Sequence, residues 1–430
     1  MGQKTMSRYL VIGLIVVFIV TCVGVSLIIM RGQEKSTIRL GCHVPLTGYL
    51  AKHGEWYLRG IKLAVKHFEE DYGYDVDLII RDDESSPHRA AEVVEELCTV
   101  YNVHAIVGGY GSHIVGAASE VSERYRVVYV TNAGIADELI NRGYRYFFRL
   151  NNLLSYARAQ AGFCEMVGVK RVAIIYNTKV STTDIAECVK SLLEEVGIDV
   201  VLFEGFPAGT TDFKTMLTKA MANGAEILIC EGFIPDYVSC LRDCKLLGIS
   251  LKAWIGFGGV VTNSFIRELG ELSEYCYGTA PWARGAVAED LRELEERFVR
   301  DYEAEYHEEP DYLVALGYSP TRILLEAVRR LVEMGRELTG DNIREELLKI
   351  DMKTLCGHVK FDGRGENIVA TCLLCQIQGG KFVAVYPPER ATGEPIYPAV
   401  SWGTIGKGQA LSPPGLAAFS MVRIDVRAFN

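Results

Sequence analysis

Most of the groups that do covalent chemistry, or that grip nucleic acid, are missing from this sequence in any usable arrangement. There is no Lys/Arg-rich tract. The 45 basic side chains face 55 acidic ones, leaving a formal charge of -10 and a pI near 5.5, so a nucleic-acid partner is excluded on electrostatic grounds. His43, His53, His88, His104 and His113 share no i,i+4 or HExxH spacing, which removes the common zinc-hydrolase pattern. No Ser/His/Asp or Cys/His grouping falls on matched strand ends, and the adjacent carboxylates Asp82 and Asp83 read as a lobe-stabilising turn. There is no long-period repeat, and glutamine is scarce beside glutamate, a balance often met in thermophiles.

Cysteine is not lacking, but a disulfide framework is. The twelve cysteines are irregularly spaced for a chain of 430 residues, and eleven lie beyond residue 30, so at least one of those has no partner within the chain. Cys240 and Cys244 fall on one face of a helix; Cys372 and Cys375 point to opposite faces of a strand. These four read as buried free thiols, with a zinc site as the alternative.

Charge is also absent from residues 9–30. That run is long enough to cross a bilayer as a helix. Lys4 and Arg8 precede it and no A-x-A cleavage motif comes before Arg31, so residues 1–37 are expected to be an uncleaved single-pass anchor with a cytoplasmic N-terminus, or a cleaved signal segment. Either way the remainder is exported, and lies outside the membrane.

Beyond this segment the chain alternates between strand and helix patterns. Strands are expected over 38–41, 76–81, 105–107 and 127–130, with helices over 56–70, 90–101 and 114–125 and a short one near Asp137. The pattern restarts with helices over 158–167, 184–196, 213–222 and 235–247 and strands over 172–176, 198–203, 226–230 and 252–255. Two α/β series of this kind imply two doubly wound lobes with right-handed crossovers. Long amphipathic helices come next, over 289–306, 319–334 and 341–349, with closing strands over 359–361, 369–377 and 382–385. Residues 387–430 form a Pro/Gly-containing extension of weak periodicity, the one flexible candidate.

Two strand-to-helix turns carry the functional reading, residues 105–112 and 127–134. In each, a β-branched run stops at small residues and a helix begins, leaving backbone N–H groups free to face a carboxylate, at the sheet end where ligands of parallel α/β sheets bind. Neither turn holds a nucleophile elbow or a Walker-type lysine. The chemistry is that of binding, not catalysis, and no cofactor is expected.

Six patterns in order resemble the type I periplasmic solute-binding proteins, the branched-chain amino-acid-binding (Leu/Ile/Val) components of ABC transporters. They are Gly41-x-x-x-Pro45-Leu46-Thr47-Gly48, Arg81-Asp82-Asp83-Glu84-x-x-Pro87-x-x-Ala90-Ala91, Val107-Gly108-Gly109-x-x-Ser112, Phe206-Pro207-Ala208-Gly209-x-x-Asp212-Phe213, Gly317-Tyr318-Ser319-Pro320 opening a helix, and Gly357-x-Val359-x-Phe361-Asp362-x-x-Gly365. The resemblance covers about residues 38–386. It implies two Rossmann-like lobes joined by three crossovers, an N-terminal lobe from 38–150 and 282–355 and a C-terminal lobe from 151–281 and 356–386, hinged over a small carboxylate or amino-acid ligand that is passed to an ABC permease.

The same resemblance places Ser112, with Tyr110 and Gly111, at the ligand carboxylate, where a plain helix cap is the alternative role for Ser112. It aligns Ala133, Gly134 and Ile135 with the second ligand loop, Ile135 standing where relatives have a threonine. In the other lobe Phe233 fits an aromatic position, Ser181 or Thr182 stands where another aromatic is usual, and Gly258 replaces the acid that pairs with an ammonium group. Glu231 is the candidate substitute, or else faces solvent. Trp56, Tyr110, Phe233 and Trp282 are aromatic candidates for the cleft wall or for packing. Two other functions stay open: an extracellular sensor that signals through a partner, and an amidase or hydrolase on the same scaffold.

Overall fold

Short β-branched runs, each followed by a helix, build the first lobe. In the computed structural model, which describes residues 37–399, β1 (Ile38–Val44), β2 (Val76–Asp82), β3 (Ala105–Gly108), β4 (Val128–Thr131) and β5 (Phe147–Arg149) form one sheet in the order β2-β1-β3-β4-β5. All its pairings are parallel. The connecting helices are α1 (Ala51–Tyr72), α2 (Pro87–Thr99), α3 (Ser112–Tyr125) and α4 (Asp137–Asn141). Every residue of β3 and β4 is buried, as continuous apolar strands must be when helices cover both faces.

The second lobe repeats the scheme. Its strands β6 (Arg171–Asn177), β7 (Asp199–Phe206), β8 (Ile227–Glu231), β9 (Ala253–Gly256) and β10 (Tyr277–Ala280) alternate with α5 (Leu153–Met166), α6 (Val180–Glu195), α7 (Lys214–Ala222), α8 (Ile234–Leu246) and α9 (Asn263–Leu269). The chain then returns to the first lobe as α10 (Arg292–Tyr306), α11 (Tyr312–Glu333) and α12 (Gly340–Leu347), followed by a hairpin of β11 (Asp351–Thr354) and β12 (Gly357–Lys360). Finally β13 (Leu373–Gln378) and β14 (Lys381–Tyr386) join the second sheet antiparallel, giving the order β14-β13-β10-β9-β8-β6-β7.

The chain therefore passes between the sheets three times. Two of the passages lie side by side and are clamped by polar contacts. Buried Arg149 pairs with Glu366 and, at 3.0 Å, with Asp137; Asn152 Nδ2 donates to Glu366 at 2.7 Å and Asn367 Nδ2 to the Leu150 carbonyl at 2.9 Å.

Several expectations change in detail. α11 begins at Tyr312, where the Asp311 carboxylate accepts from the Leu313 amide at 2.9 Å, so Gly317-Tyr318-Ser319-Pro320 lies inside this helix instead of opening it. The glycine is there because α1 and α11 cross in contact: a Cβ on Gly317 would stand 2.0 Å from the Tyr57 carbonyl, and one on Gly60 1.9 Å from that of Val314. The first part of the extension, expected to be flexible, is ordered, with the Ile396 amide on Gln376 at 2.8 Å and the Ala399 amide on the Lys252 carbonyl at 2.7 Å. The four cysteines considered for zinc are not brought together. Cys240 and Cys244 belong to one core cluster, Cys372 and Cys375 to two others, and no metal-holding group occurs among the described residues. The expected anchor, residues 1–37, lies almost wholly outside the described residues, among which no helix is long and apolar enough to cross a membrane.

Candidate functional site

Gly108, Gly109 and Gly111 all take positive φ, which turns the chain sharply from β3 into α3. Ser112 is the first helical residue, one place beyond the cap Gly111, which makes no side-chain cap bond. The helix-cap role is therefore not the one Ser112 plays. Its Oγ accepts from the Ala136 amide at 3.2 Å, and the Gly111 amide donates to the Ala133 carbonyl at 3.3 Å. The two expected ligand turns are thus tied to each other. Among the described residues the Ser112 O–H and the Ser112, His113 and Gly134 amides donate to nothing, leaving a compact group of donors at the positive end of α3.

The second turn is held from behind. The Arg149 guanidinium donates to the Ile135 and Ala136 carbonyls, both at 2.8 Å, and the Ile135 side chain is buried in the core cluster of the second lobe. Ile135 is a contact between lobes as well as a turn residue. Ala133 takes its amide bond from within, to Thr131 Oγ1 at 3.1 Å.

Tyr110 is half-buried with its ring 5.1 Å from His53 and 6.3 Å from Tyr57. Its hydroxyl is directed toward that of Tyr312, and burial raises both phenols, so they stay protonated. The Tyr312 hydroxyl in turn stands 2.9 Å from where a Cβ on Gly258 would lie. The missing acid at 258 is therefore matched by a tyrosine from the other lobe that fills the space. Tyr156 of α5, whose ring lies 5.0 Å from Phe257, extends this aromatic group into the second lobe.

Glu231 does not face solvent. It is fully buried at the end of β8, and neither carboxylate oxygen has a hydrogen-bond partner; nor does the side chain of fully buried Gln160. Burial pushes the Glu231 carboxyl up to about 8, with the Gln160 amide beside it opposing the rise. No basic side chain among the described residues pairs with it. Asn132 is similarly buried with its whole carboxamide unpartnered, as is the buried hydroxyl of Ser319, and both lie near the Cys356 thiol. Buried polar groups are ordinarily satisfied, so these are the positions at which a ligand's polar atoms have something to gain.

The remaining candidates sit further out. Phe233 is exposed at the start of α8, with the Lys179 ammonium 5.5 Å from its ring centroid. Ser181 is half-buried in the first turn of α6, while Thr182 next to it spends its hydroxyl on the Asn177 carbonyl at 2.6 Å. Across from them, His113 stacks on Tyr49 and is held below its ordinary value by burial and then by Lys179, so the two lobes face each other here. Trp56 is half-buried against the first-lobe core. Trp282 is a core residue, its indole N–H donating to Glu295 at 2.8 Å, and is no part of a cleft wall. Sequence reasoning missed Tyr57, Asn132, Tyr156, Gln160 and Tyr312. Of these only Asn132, a polar residue in an otherwise small and apolar turn, carried a visible signal.

Comparison with known proteins points one way. The model of the periplasmic binding protein family matches residues 37–381. Leu/Ile/Val-binding protein homolog 7 of Brucella abortus is 27% identical over 379 residues, covering 83% of this chain and 93% of that protein. Among solved structures, the branched-chain amino acid transporter substrate binding protein LivJ of Streptococcus pneumoniae, in complex with isoleucine, superimposes with a TM-score of 0.70 at 22% identity, over 81% of this chain and 98% of its own. A solute binding protein of an ABC transporter from Rhodopseudomonas palustris, in complex with 3,4-dihydroxybenzoic acid, gives 0.70 at 18%, over 86% and 99%. At such identities the solved structures speak for the fold alone.

Proposed function

This chain belongs to the periplasmic binding protein family, and from that premise we propose that it is the extracellular receptor of an ABC-type importer, capturing a small carboxylate-bearing solute, an amino acid or a related acid, between two hinged lobes and presenting it to a permease. Residues 9–30 would tether it to the membrane beside that permease. The observation that carries the reading is the pair of joined turns at residues 108–112 and 132–136, whose free donors converge at the N-terminus of α3. A carboxylate is the anion such a group suits.

The relatives divide on what else the ligand offers, one solved structure holding isoleucine and another an aromatic acid without an amine. In this chain the ammonium partner is Glu231, whose buried carboxyl lacks a cation, or else the amine is dispensable. Calorimetric and thermal-shift titration of the full chain with leucine, isoleucine, short-chain carboxylates and 3,4-dihydroxybenzoate separates these, since a true ligand raises the melting temperature with concentration. Tight amino-acid binding abolished by Glu231→Gln assigns the ammonium to Glu231. Equal binding of acids lacking the amine makes the amine dispensable. Turnover of any of them would overturn the receptor reading.

A further inference from the structure

Behind the first ligand turn runs a buried chain of polar groups. Cys42 and Val44 of β1 face one core of the first lobe, so His43 between them faces the other, beside Tyr129 of β4. Its Nδ1 is 2.9 Å from Asp83 Oδ2 and its Nε2 2.7 Å from the Tyr129 hydroxyl, which reaches the Gly108 carbonyl at 3.0 Å. All three side chains are fully buried, and the other Asp83 oxygen accepts from the Ser85 amide at 3.1 Å. His43 also acts on the same peptide unit from its other end, because its backbone carbonyl accepts from the Gly109 amide at 2.8 Å. The peptide between Gly108 and Gly109 is thus held at both its N–H and its C=O. A Cβ at Gly108 would collide with the His43 carbonyl and one at Gly109 with the Tyr129 hydroxyl. This clamp sets the direction in which the chain leaves β3 toward Ser112.

Counting protons shows what the clamp requires. The Tyr129 hydroxyl has one proton and two acceptors in reach: the Gly108 carbonyl and, when a neutral His43 ring keeps its proton toward Asp83, the bare Nε2. That tautomer competes for the proton that holds the turn. A ring protonated on both nitrogens does not. Its Nδ1–H donates to Asp83, its Nε2–H donates to the Tyr129 oxygen, and the tyrosine proton is left to Gly108. The same form supplies a counter-charge for the Asp83 carboxylate, which has no Lys or Arg within ion-pair distance among the described residues. A buried charge without a partner is costly.

We propose that Asp83, His43 and Tyr129 are positioning residues for the carboxylate site, and that His43 acts as an imidazolium, its second proton taken from solvent, so that the Tyr129 proton fixes the Gly108–Gly109 peptide. The proposal rests on the receptor reading, since a clamped turn matters only where a ligand uses it. Raising the pH removes the Nε2 proton, draws the Tyr129 proton onto the ring and frees the carbonyl. The amides of Ser112 and His113 then lose their fixed aim, and the acid binds less tightly. Other titratable groups bear on the chain. Tyr57 of α1 and Cys42 of β1 act on Tyr129, and burial raises both so that they stay neutral. Arg142, after α4, also acts on Tyr129 but is spent on the Gly116 carbonyl at 2.8 Å and on Ser119 Oγ at 2.6 Å. Tyr49 and His113, joined to each other at 2.8 Å, bear on Asp83.

The test compares wild type with Tyr129→Phe, which keeps the ring and removes the hydroxyl. Affinity for the acid chosen by the screen is measured by calorimetry across a pH series on the full chain in detergent. The ratio of the two affinities is the readout, because the other titrating groups, Glu231 and His113 among them, act on both chains and cancel. In parallel, nitrogen-15 NMR of histidine-labelled protein, with the His43 signals assigned by their loss in His43→Gln, reports whether Nε2 carries a proton. The expected ratio is about three- to tenfold while Nε2 is protonated, the worth of one hydrogen bond, falling toward one over the pH range in which that proton is lost. A ratio that stays constant across that range overturns the proposal. So does a His43 Nε2 that is unprotonated throughout, a result that stands even if Tyr129→Phe fails to fold. Failure of every acid to bind wild type is a different outcome, which refutes the receptor reading and takes this proposal with it.

Discussion

At the scale of single residues, the site is a set of unmet hydrogen-bonding needs. Ser112 has one lone pair committed to the Ala136 amide and a proton with nowhere to go. Ser112→Ala should weaken acid binding by roughly 1–3 kcal/mol, the worth of a hydrogen bond to a charged group, as read by calorimetry with the best acid of the screen; unchanged affinity would remove Ser112 from the site. Glu231 makes a prediction that needs no ligand. Its carboxyl, ordinarily near 4.5, is raised to about 8 by burial, so the native state keeps a proton that the unfolded chain gives up. Stability is then full below about 4.5 and falls as pH rises through about 8, by on the order of a few kcal/mol. Asp311, raised from 3.8 to about 7 by burial, adds a fall of the same sign at lower pH. Denaturant titrations from pH 4 to 9 should give Glu231→Gln a flatter curve than wild type, the difference growing above pH 4.5. Parallel curves would mean that the Glu231 carboxylate is not desolvated.

At the scale of elements, most of the fold was legible because its strands are continuous apolar runs and its helices strongly amphipathic. What escaped has identifiable causes. β5 is three residues long and β10 is Tyr-Gly-Thr-Ala, too short and too mixed to stand out. The expected start of α11, at Ser319, falls inside the helix that begins at Tyr312, since Gly and Pro at 317 and 320 look like a boundary when only local propensity is weighed. Tertiary packing explains both. Pro320 is accommodated in a helix whose surroundings are wholly buried, and Gly317 is the contact point with α1. Of the site, the turns could be read from spacing, whereas Tyr312 and Gln160 could not, because the meeting of Tyr312 with residue 258 depends on how the two lobes are joined and that of Gln160 with residue 231 on how α5 packs on the second sheet. Gly317→Ala tests the crossing directly. With a Cβ 2.0 Å from the Tyr57 carbonyl, the helices must part, and a loss of about 1–3 kcal/mol or more is expected in chemical denaturation. A change below about 0.5 kcal/mol would show that the helices separate without cost.

At the scale of the whole molecule, the three chain passages and the contacts between the lobes decide what motion is possible. The passages at Arg149–Asn152 and at Glu366–Asn367 are locked to each other by one buried ion pair and by amide hydrogen bonds, so they are expected to bend as one unit. Away from them the lobes also meet at Tyr312 against Gly258, at Ile135 in the second-lobe core, at Asn263 donating to the Glu309 carbonyl at 3.3 Å, and at Lys179 opposite His113. If those contacts yield more readily than the clamp at the passages, the lobes open as a hinge. A ligand bound to the first-lobe turns and to Glu231 at once touches both lobes only when they are closed, so it must shift the population toward closure by its differential affinity. Small-angle scattering of the full chain in detergent, with the detergent contribution contrast-matched, should show a smaller radius of gyration at saturation with the acid chosen by the screen. Glu231→Gln should blunt that change for an amino acid and leave it intact for an acid without an amine. A profile that does not change at saturation would mean that the lobes are already closed without ligand, and that the Tyr312 contact at Gly258, not the ligand, holds them so.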